Sequence, residues 1–135
     1  MVINLSQQVK AYFTDDDLDD YDLFYEAVSQ VSKNIELVPF GDCEMLLEIL
    51  KESTPDILFI DINLGKTTGI ECLQVIKSLA HISTVPKIIM STSASNLQIA
   101  EFVELGCNYF LQKPSSFQEV INEMQKIFEK DWDCN

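Results

Sequence analysis

Short apolar runs alternate with amphipathic stretches along this chain, and that alternation limits the possible folds more than any other feature. The run at 57–60 is apolar at every position, as expected for a strand buried on both faces. The predicted strands are 9–14, 35–40, 57–60, 87–90 and 109–111. The predicted helices are 18–32, 43–51, 69–79, 96–105 and a last helix that Ser115 or Ser116 caps and that ends near Lys130. We therefore predict an α/β fold of the (βα)5 type, a doubly wound parallel sheet with helices on both faces.

The excess of acidic residues argues against two classes of partner. Asp and Glu number 22 against nine basic residues, all of them Lys, so the net charge is −13. Nucleic acids and anionic membrane surfaces bind through basic clusters, so we expect neither as a partner. No apolar run approaches the ~20 residues that span a bilayer, and residues 1–10 lack a signal-peptide pattern. We expect a cytoplasmic protein that forms a single domain over 1–135, with a core at about 8–130 and no output domain.

The spacing of the four cysteines predicts neither a disulfide framework nor a metal site. Cys43, Cys72, Cys107 and Cys134 are widely spaced and form no CxxC pair. Because we expect a reducing compartment, we interpret them as buried or incidental thiols rather than as a disulfide framework or a zinc site.

Residues capable of chemistry follow four of the five predicted strands. In an open parallel sheet, ligands bind beyond the carboxyl ends of the strands. The residues found there are Asp15, Asp16 and Asp17, then Asp61 and Asn63, then Ser91 and Thr92, and finally Lys113 and Pro114. Clustered carboxylates need a cation or protonation at neutral pH, and Mg²⁺ prefers oxygen ligands. Since a carboxylate can also attack phosphorus, the set predicts phosphoryl transfer, in which Lys113 neutralises charge and Ser91 supplies a hydrogen bond.

This pattern resembles the receiver domain of two-component response regulators over about 9–128. The matching residues are the acidic pair Asp15 and Asp16, the phosphoacceptor Asp61, the loop-ending Gly69, the switch hydroxyl Ser91, the aromatic switch residue Phe110 and the pair Lys113 and Pro114. Ser91 and Lys113 lie 30 and 52 residues after Asp61 (91−61 and 113−61), the intervals of the family. The resemblance implies a flavodoxin-like receiver fold with strand order 2-1-3-4-5.

The resemblance also implies a function. Asp61 would accept a phosphoryl group from a histidine kinase or a histidine phosphotransfer protein. Mg²⁺, or Mn²⁺, would be held by Asp15, Asp16, Asp61 and the backbone carbonyl of Asn63. Ser91 and Phe110 would then change the face formed by the fourth helix, fifth strand and fifth helix, which binds an unknown downstream protein. The chain would be a stand-alone response regulator, a phosphoacceptor rather than an enzyme, and a monomer or weak homodimer.

Two further implications concern the loops. The Lys113–Pro114 bond is commonly cis in the family, and cis costs only about 0.5–1 kcal/mol before proline. The segment 64–68 replaces the usual Met-Pro-Gly-Met-Asp loop, which predicts a looser loop over the site. Asn63 and Ser93 occupy positions that tune dephosphorylation in the family.

Several alternatives stay open from the sequence. The chain could be a receiver-like interaction module that is never phosphorylated, a haloacid-dehalogenase-type phosphatase or a flavin carrier. Residues 15–26 also imitate the acid spacing of an EF-hand, although without its glycine. Asp17 is a candidate helix cap, and Asp19, Asp20 and Asp22 are interpreted as solvated charges. Thr92 and Ser93 compete with Ser91 for the switch role, and Phe110 can be explained by packing alone.

Overall fold

The computed structural model describes residues 1–64, 67–92 and 96–133. The strands are β1 (Val9–Thr14), β2 (Ile35–Phe40), β3 (Ile57–Asp61), β4 (Lys87–Ser91) and β5 (Tyr109–Gln112). The helices are α1 (Leu18–Val31), α2 (Cys43–Leu50), α3 (Gly69–Lys77), α4 (Asn96–Glu104) and α5 (Phe117–Glu129). Two short elements were not predicted, a hairpin that pairs Asn63–Leu64 with Thr67–Thr68 and a 3₁₀ turn at Ala80–Ile82. The predicted order of elements is confirmed.

The five long strands form one parallel sheet in the order β2-β1-β3-β4-β5. This order confirms the predicted doubly wound fold of the flavodoxin-like receiver type. β3 lies at the centre, and every residue of it is buried. The carboxyl ends of β1, β3 and β4 are adjacent, since Thr14 pairs with Ile60 and Asp61 pairs with Met90.

Apolar side chains cover both faces of the sheet. On one face, Phe13 and Phe59 of the sheet pack with Phe24 of α1 and Phe128 of α5. On the other face, the core contains these fully buried side chains of the sheet, α2, α3 and α4: Leu58, Ile60, Leu46, Leu73 and Phe102. Successive residues of β3 therefore face opposite layers, which explains why its whole sequence is apolar.

β2 is an edge strand with two local features on its outer side. The hydroxyl of Tyr21, on α1, donates a hydrogen bond of 2.9 Å to the carbonyl oxygen of Leu37. Pro39 lies in the same strand, opposite Phe13 of β1.

Cys43 and Cys72 form a disulfide that joins α2 to α3, so the prediction of free thiols is wrong for this pair. The two residues are 29 positions apart in sequence, with a strand between them. Only the folded chain brings their Cα atoms to 5.9 Å, a separation that a disulfide can bridge. Both are buried, as predicted, and Cys107 is a buried free thiol. Cys134 lies outside the described residues.

The Lys113–Pro114 bond is trans, because the described residues include no cis peptide bond. The expectation of a cis bond is therefore wrong for this structure. Trans is the lower-energy form of a bond before proline. The N–H group of Lys113 donates a 2.7 Å hydrogen bond to the carbonyl oxygen of Ser91, so the chain extends the β4–β5 pairing up to the proline.

None of the helices in the described part of the chain is long and apolar enough to cross a membrane.

Candidate functional site

Three carboxylates meet at the carboxyl ends of β1 and β3. Asp15 follows β1 directly and Asp61 is the last residue of β3, the neighbouring strand. Asp15, Asp16 and Asp61 each offer an oxygen, and these oxygens all lie within 4.8 Å of one another. Asp15 and Asp61 are each only 6% exposed, whereas Asp16 is exposed. The structure thus brings together the three acidic residues that the sequence predicted.

Hydrogen bonds to the backbone fix the first of these carboxylates. The side chain of Asp15 accepts a 2.9 Å bond from the N–H of Asp17, and the N–H of Asp15 donates to the carbonyl oxygen of Phe40. Asp17 in turn caps α1 by accepting from the N–H of Asp19, which confirms the predicted cap. The turn between β1 and α1 is therefore built by the same acidic run that supplies the site.

Lys113 contributes the positive charge at this site. Its ammonium Nζ lies 2.9 Å from Asp15 Oδ2 and 3.0 Å from Asp61 Oδ2. A third carboxylate, Asp20 of α1, is closest, with its Oδ2 at 2.7 Å from Nζ. The sequence placed Asp20 among the solvated charges, so this contact was missed. The one signal for it was position, since Asp20 is three residues after the helix cap, on the turn next to the strand ends.

Burial and these contacts act on the pKa values of the site in opposite directions. Burial lowers the pKa of Lys113, but its hydrogen bonds to Asp20, Asp15 and Asp61 outweigh burial and raise the pKa above its ordinary value. For Asp15 burial prevails and raises the pKa to about 7, against the opposing effects of the Asp17 N–H and of Lys113. Burial thus brings the pKa of the Asp15 carboxyl close to neutral pH.

Ser91 and the loop after Asp61 complete the edge of the site. Ser91 ends β4 and is 3% exposed. Asn63 begins the short hairpin two residues after Asp61, and Gly69 closes it by donating a 2.8 Å hydrogen bond to the carbonyl oxygen of Ile62. Ser93 lies outside the described residues, as do Gly65 and Lys66 of the predicted loose loop 64–68.

Phe110 is the second residue of β5. Its ring stacks on that of Phe102 in α4, with centroids 6.5 Å apart and planes 7° from parallel. The side chain is half-buried and packs against the core formed with α2, α3 and α4. In this arrangement it joins α4 to β5, and a switching role stays a prediction.

The donor set suits a divalent cation. Asp15, Asp16 and Asp61 offer only carboxylate oxygens, which are the ligands preferred by Mg²⁺ and Mn²⁺. Two of the three carboxylates are buried, and Lys113 neutralises only one negative charge. The EF-hand alternative is wrong, because a strand precedes the acidic run and Glu26 lies within α1.

Comparison with known proteins identifies the family that the sequence resembles. The family model of the response regulator receiver domain matches residues 14–125. A probable chemotaxis protein CheY of Rhizobium etli is 21% identical over 126 residues, covering 93% of this chain and 97% of that protein. The sensory transduction protein BceR of Halalkalibacterium halodurans is 28% identical over 83% of this chain, which spans 48% of BceR.

Among solved structures, the phosphorylated cyanobacterial phytochrome response regulator RcpA superposes with a TM-score of 0.81. It is 25% identical, and the match covers 89% of this chain and 91% of that chain. With a family model that matches most of its length and an acidic site at the expected strand ends, this chain belongs to the response regulator receiver domain family.

Proposed function

We propose that the chain acts as a response regulator receiver whose phosphoacceptor is Asp61. The observation that carries the proposal is the convergence of Lys113 with Asp15 and Asp61 at one end of the sheet. A buried carboxylate with a lysine ammonium at 3.0 Å is positioned to receive a negatively charged group. Phosphoryl transfer depends mainly on such positioning and charge neutralisation.

In the proposed reaction, a carboxylate oxygen of Asp61 attacks the phosphorus of a phosphohistidine on a histidine kinase or histidine phosphotransfer protein. An O–P bond forms on Asp61 and the P–N bond breaks. The imidazole nitrogen keeps the electron pair and takes up a proton. Lys113 stabilises the added negative charge, and the Ser91 hydroxyl donates a hydrogen bond to the phosphoryl oxygens.

A divalent cation is part of this proposal. Asp15, Asp16 and Asp61 would hold Mg²⁺ or Mn²⁺, with the backbone carbonyl of Asn63 as a further ligand. When bound, the cation neutralises charge on the phosphoryl oxygens. Asp15 must lose its proton to act as a ligand, and a carboxyl with a pKa of about 7 does so readily at neutral pH.

The output of the switch is proposed to be a protein surface. Phe110 stacks on Phe102, so movement of the Phe110 ring changes the contact between β5 and α4. The face of α4, β5 and α5 would then bind a downstream protein. We place the protein in the cytoplasm, where its kinase or phosphotransfer partner would act, and in a monomeric or weakly dimeric state.

The experiment is phosphorylation by a small donor. Incubation with Mg²⁺ and acetyl phosphate should add one phosphoryl group, about 80 Da by intact mass. Asp61→Asn should abolish the addition, and EDTA should prevent it in the wild type. Asp22→Asn is the matched control, because Asp22 is an exposed carboxylate on α1. A wild type that stays unmodified, or an Asp61→Asn variant that is modified equally, would favour the alternative of an interaction module that is never phosphorylated.

A further inference from the structure

Asp20 is bonded to the site lysine although it does not belong to the cluster that suits a cation. Its Oδ2 lies 2.7 Å from Lys113 Nζ, the shortest of the three contacts of that ammonium. The cation cluster consists of Asp15, Asp16 and Asp61 only. Asp20 therefore acts on the site through Lys113.

Within the described part of the chain, the Lys113 ammonium has a carboxylate partner for each of its N–H groups. A lysine carries three N–H donors, and Lys113 has three carboxylate partners within hydrogen-bonding distance. When Asp61 carries a phosphoryl group, its carboxyl loses its negative charge, and the phosphoryl oxygens then compete with Asp15 and Asp20 for the N–H groups of Lys113.

The three partners differ in how easily they can be released. The side chains of Asp15 and Asp61 are 1% and 8% exposed, whereas that of Asp20 is 32% exposed. Water can solvate Asp20 after release, so its loss costs least.

We propose that Asp20 is a positioning residue that holds the Lys113 ammonium in the unphosphorylated form and competes with the phosphoryl group for it. Phosphorylation then draws Lys113 from Asp20 toward the phosphoryl oxygens on Asp61, and the strength of the Asp20 contact sets how readily Asp61 is phosphorylated. The inference rests on the proposed function, since it assumes that Asp61 receives the phosphoryl group.

The test compares Asp20→Ala with Asp19→Ala. Asp19 is an exposed carboxylate on the same first turn of α1, so its replacement removes the same charge from the same helix end. The phosphorylated fraction is measured by intact mass at a concentration of acetyl phosphate that half-phosphorylates the wild type in the presence of saturating Mg²⁺. We expect the steady-state ratio of phosphorylated to unphosphorylated protein to rise about two- to fivefold in Asp20→Ala, the effect of one partly exposed ion pair, and to stay near the wild-type value in Asp19→Ala.

A spectroscopic measurement tests the contact without phosphorylation. The Lys113 Cε resonance, assigned with a Lys113→Met variant, should shift in Asp20→Ala and stay in place in Asp19→Ala. A merely structural role of Asp20 in α1 would not produce this difference.

The outcomes are distinguishable. An equal rise in both variants, no rise in Asp20→Ala, or an unmoved Lys113 resonance overturns the inference and leaves the proposed function standing. A wild type that takes up no phosphoryl group overturns the proposed function, and this inference with it.

Discussion

Replacing Gly69 by alanine should strain the backbone beside Asp61. Gly69 is the first residue of α3, and its N–H is bonded to the carbonyl oxygen of Ile62. A Cβ atom at Gly69 would lie 2.8 Å from Ile62 Cα and 3.0 Å from the carbonyl oxygen of Asp61. Both are backbone atoms, so no side chain can rotate away. The chain at 61–62 must move instead.

The expected cost follows from this contact. Forcing one extra carbon into a tightly packed position costs about 1–3 kcal/mol of unfolding free energy. Gly41→Ala is the matched control, because a Cβ at Gly41 meets nothing within 4 Å and its φ is not positive. That change should stabilise the protein by about 0.4–1 kcal/mol through the lower entropy of the unfolded chain. Because the effect on the unfolded chain is common to both changes, the two variants should differ by the cost of the close contact, about 1–3 kcal/mol.

The measurement is equilibrium unfolding in urea, followed by circular dichroism at one fixed redox condition. A lower midpoint with an unchanged slope reports a loss of stability rather than a change in the unfolded state. If Gly69→Ala unfolds at the same urea concentration as Gly41→Ala, or at a higher one, the argument from the close backbone approach is refuted.

Two further predictions concern the disulfide and the cation. Reducing the Cys43–Cys72 bond should lower the free energy of unfolding by about 3–4 kcal/mol, because the bond closes a loop of 29 residues and so limits the entropy of the unfolded chain. The stability of the Cys43→Ser/Cys72→Ser variant should not respond to dithiothreitol. Unfolding of the wild type that is unaffected by reductant contradicts this prediction. Burial raises the pKa of Asp15 to about 7, so below that pH a proton on Asp15 competes with the cation. As the pH rises toward 7, the Mg²⁺ affinity measured by calorimetry should therefore increase by up to about tenfold per pH unit, and it should level off above pH 7. An affinity that is constant from pH 6 to 8 contradicts this prediction.

The sequence was sufficient to predict the sheet because β3 and β4 are buried on both faces and their apolar runs end at the site. Asp61 and Ser91 each end such a strand, so position in the chain fixed their place in space. The Asp17 cap could also be predicted, because capping is a local interaction between residues close in sequence.

What the sequence did not reveal depends on contacts between distant segments. Cys43 and Cys72 meet because α2 and α3 pack on the same face of the sheet, and their spacing contains no sign of it. Asp20 looks like its acidic neighbours in the chain. Only its contact with Lys113, which follows β5 and lies 93 residues later in the chain, distinguishes Asp20 from the neighbouring acidic residues.

The outer edge of β2 bears on how the sheet meets other molecules. Because backbone groups point alternately to the two sides of a strand, and the carbonyl oxygens of Asn34 and Phe40 face β1, the groups of Leu37 and Pro39 face outward. The outward oxygen of Leu37 is already occupied by the Tyr21 hydroxyl, and Pro39 has no N–H to donate. An incoming strand would find one acceptor taken and one donor missing. The edge is thereby protected against strand addition, which would otherwise allow chains to join into a continuous sheet and aggregate.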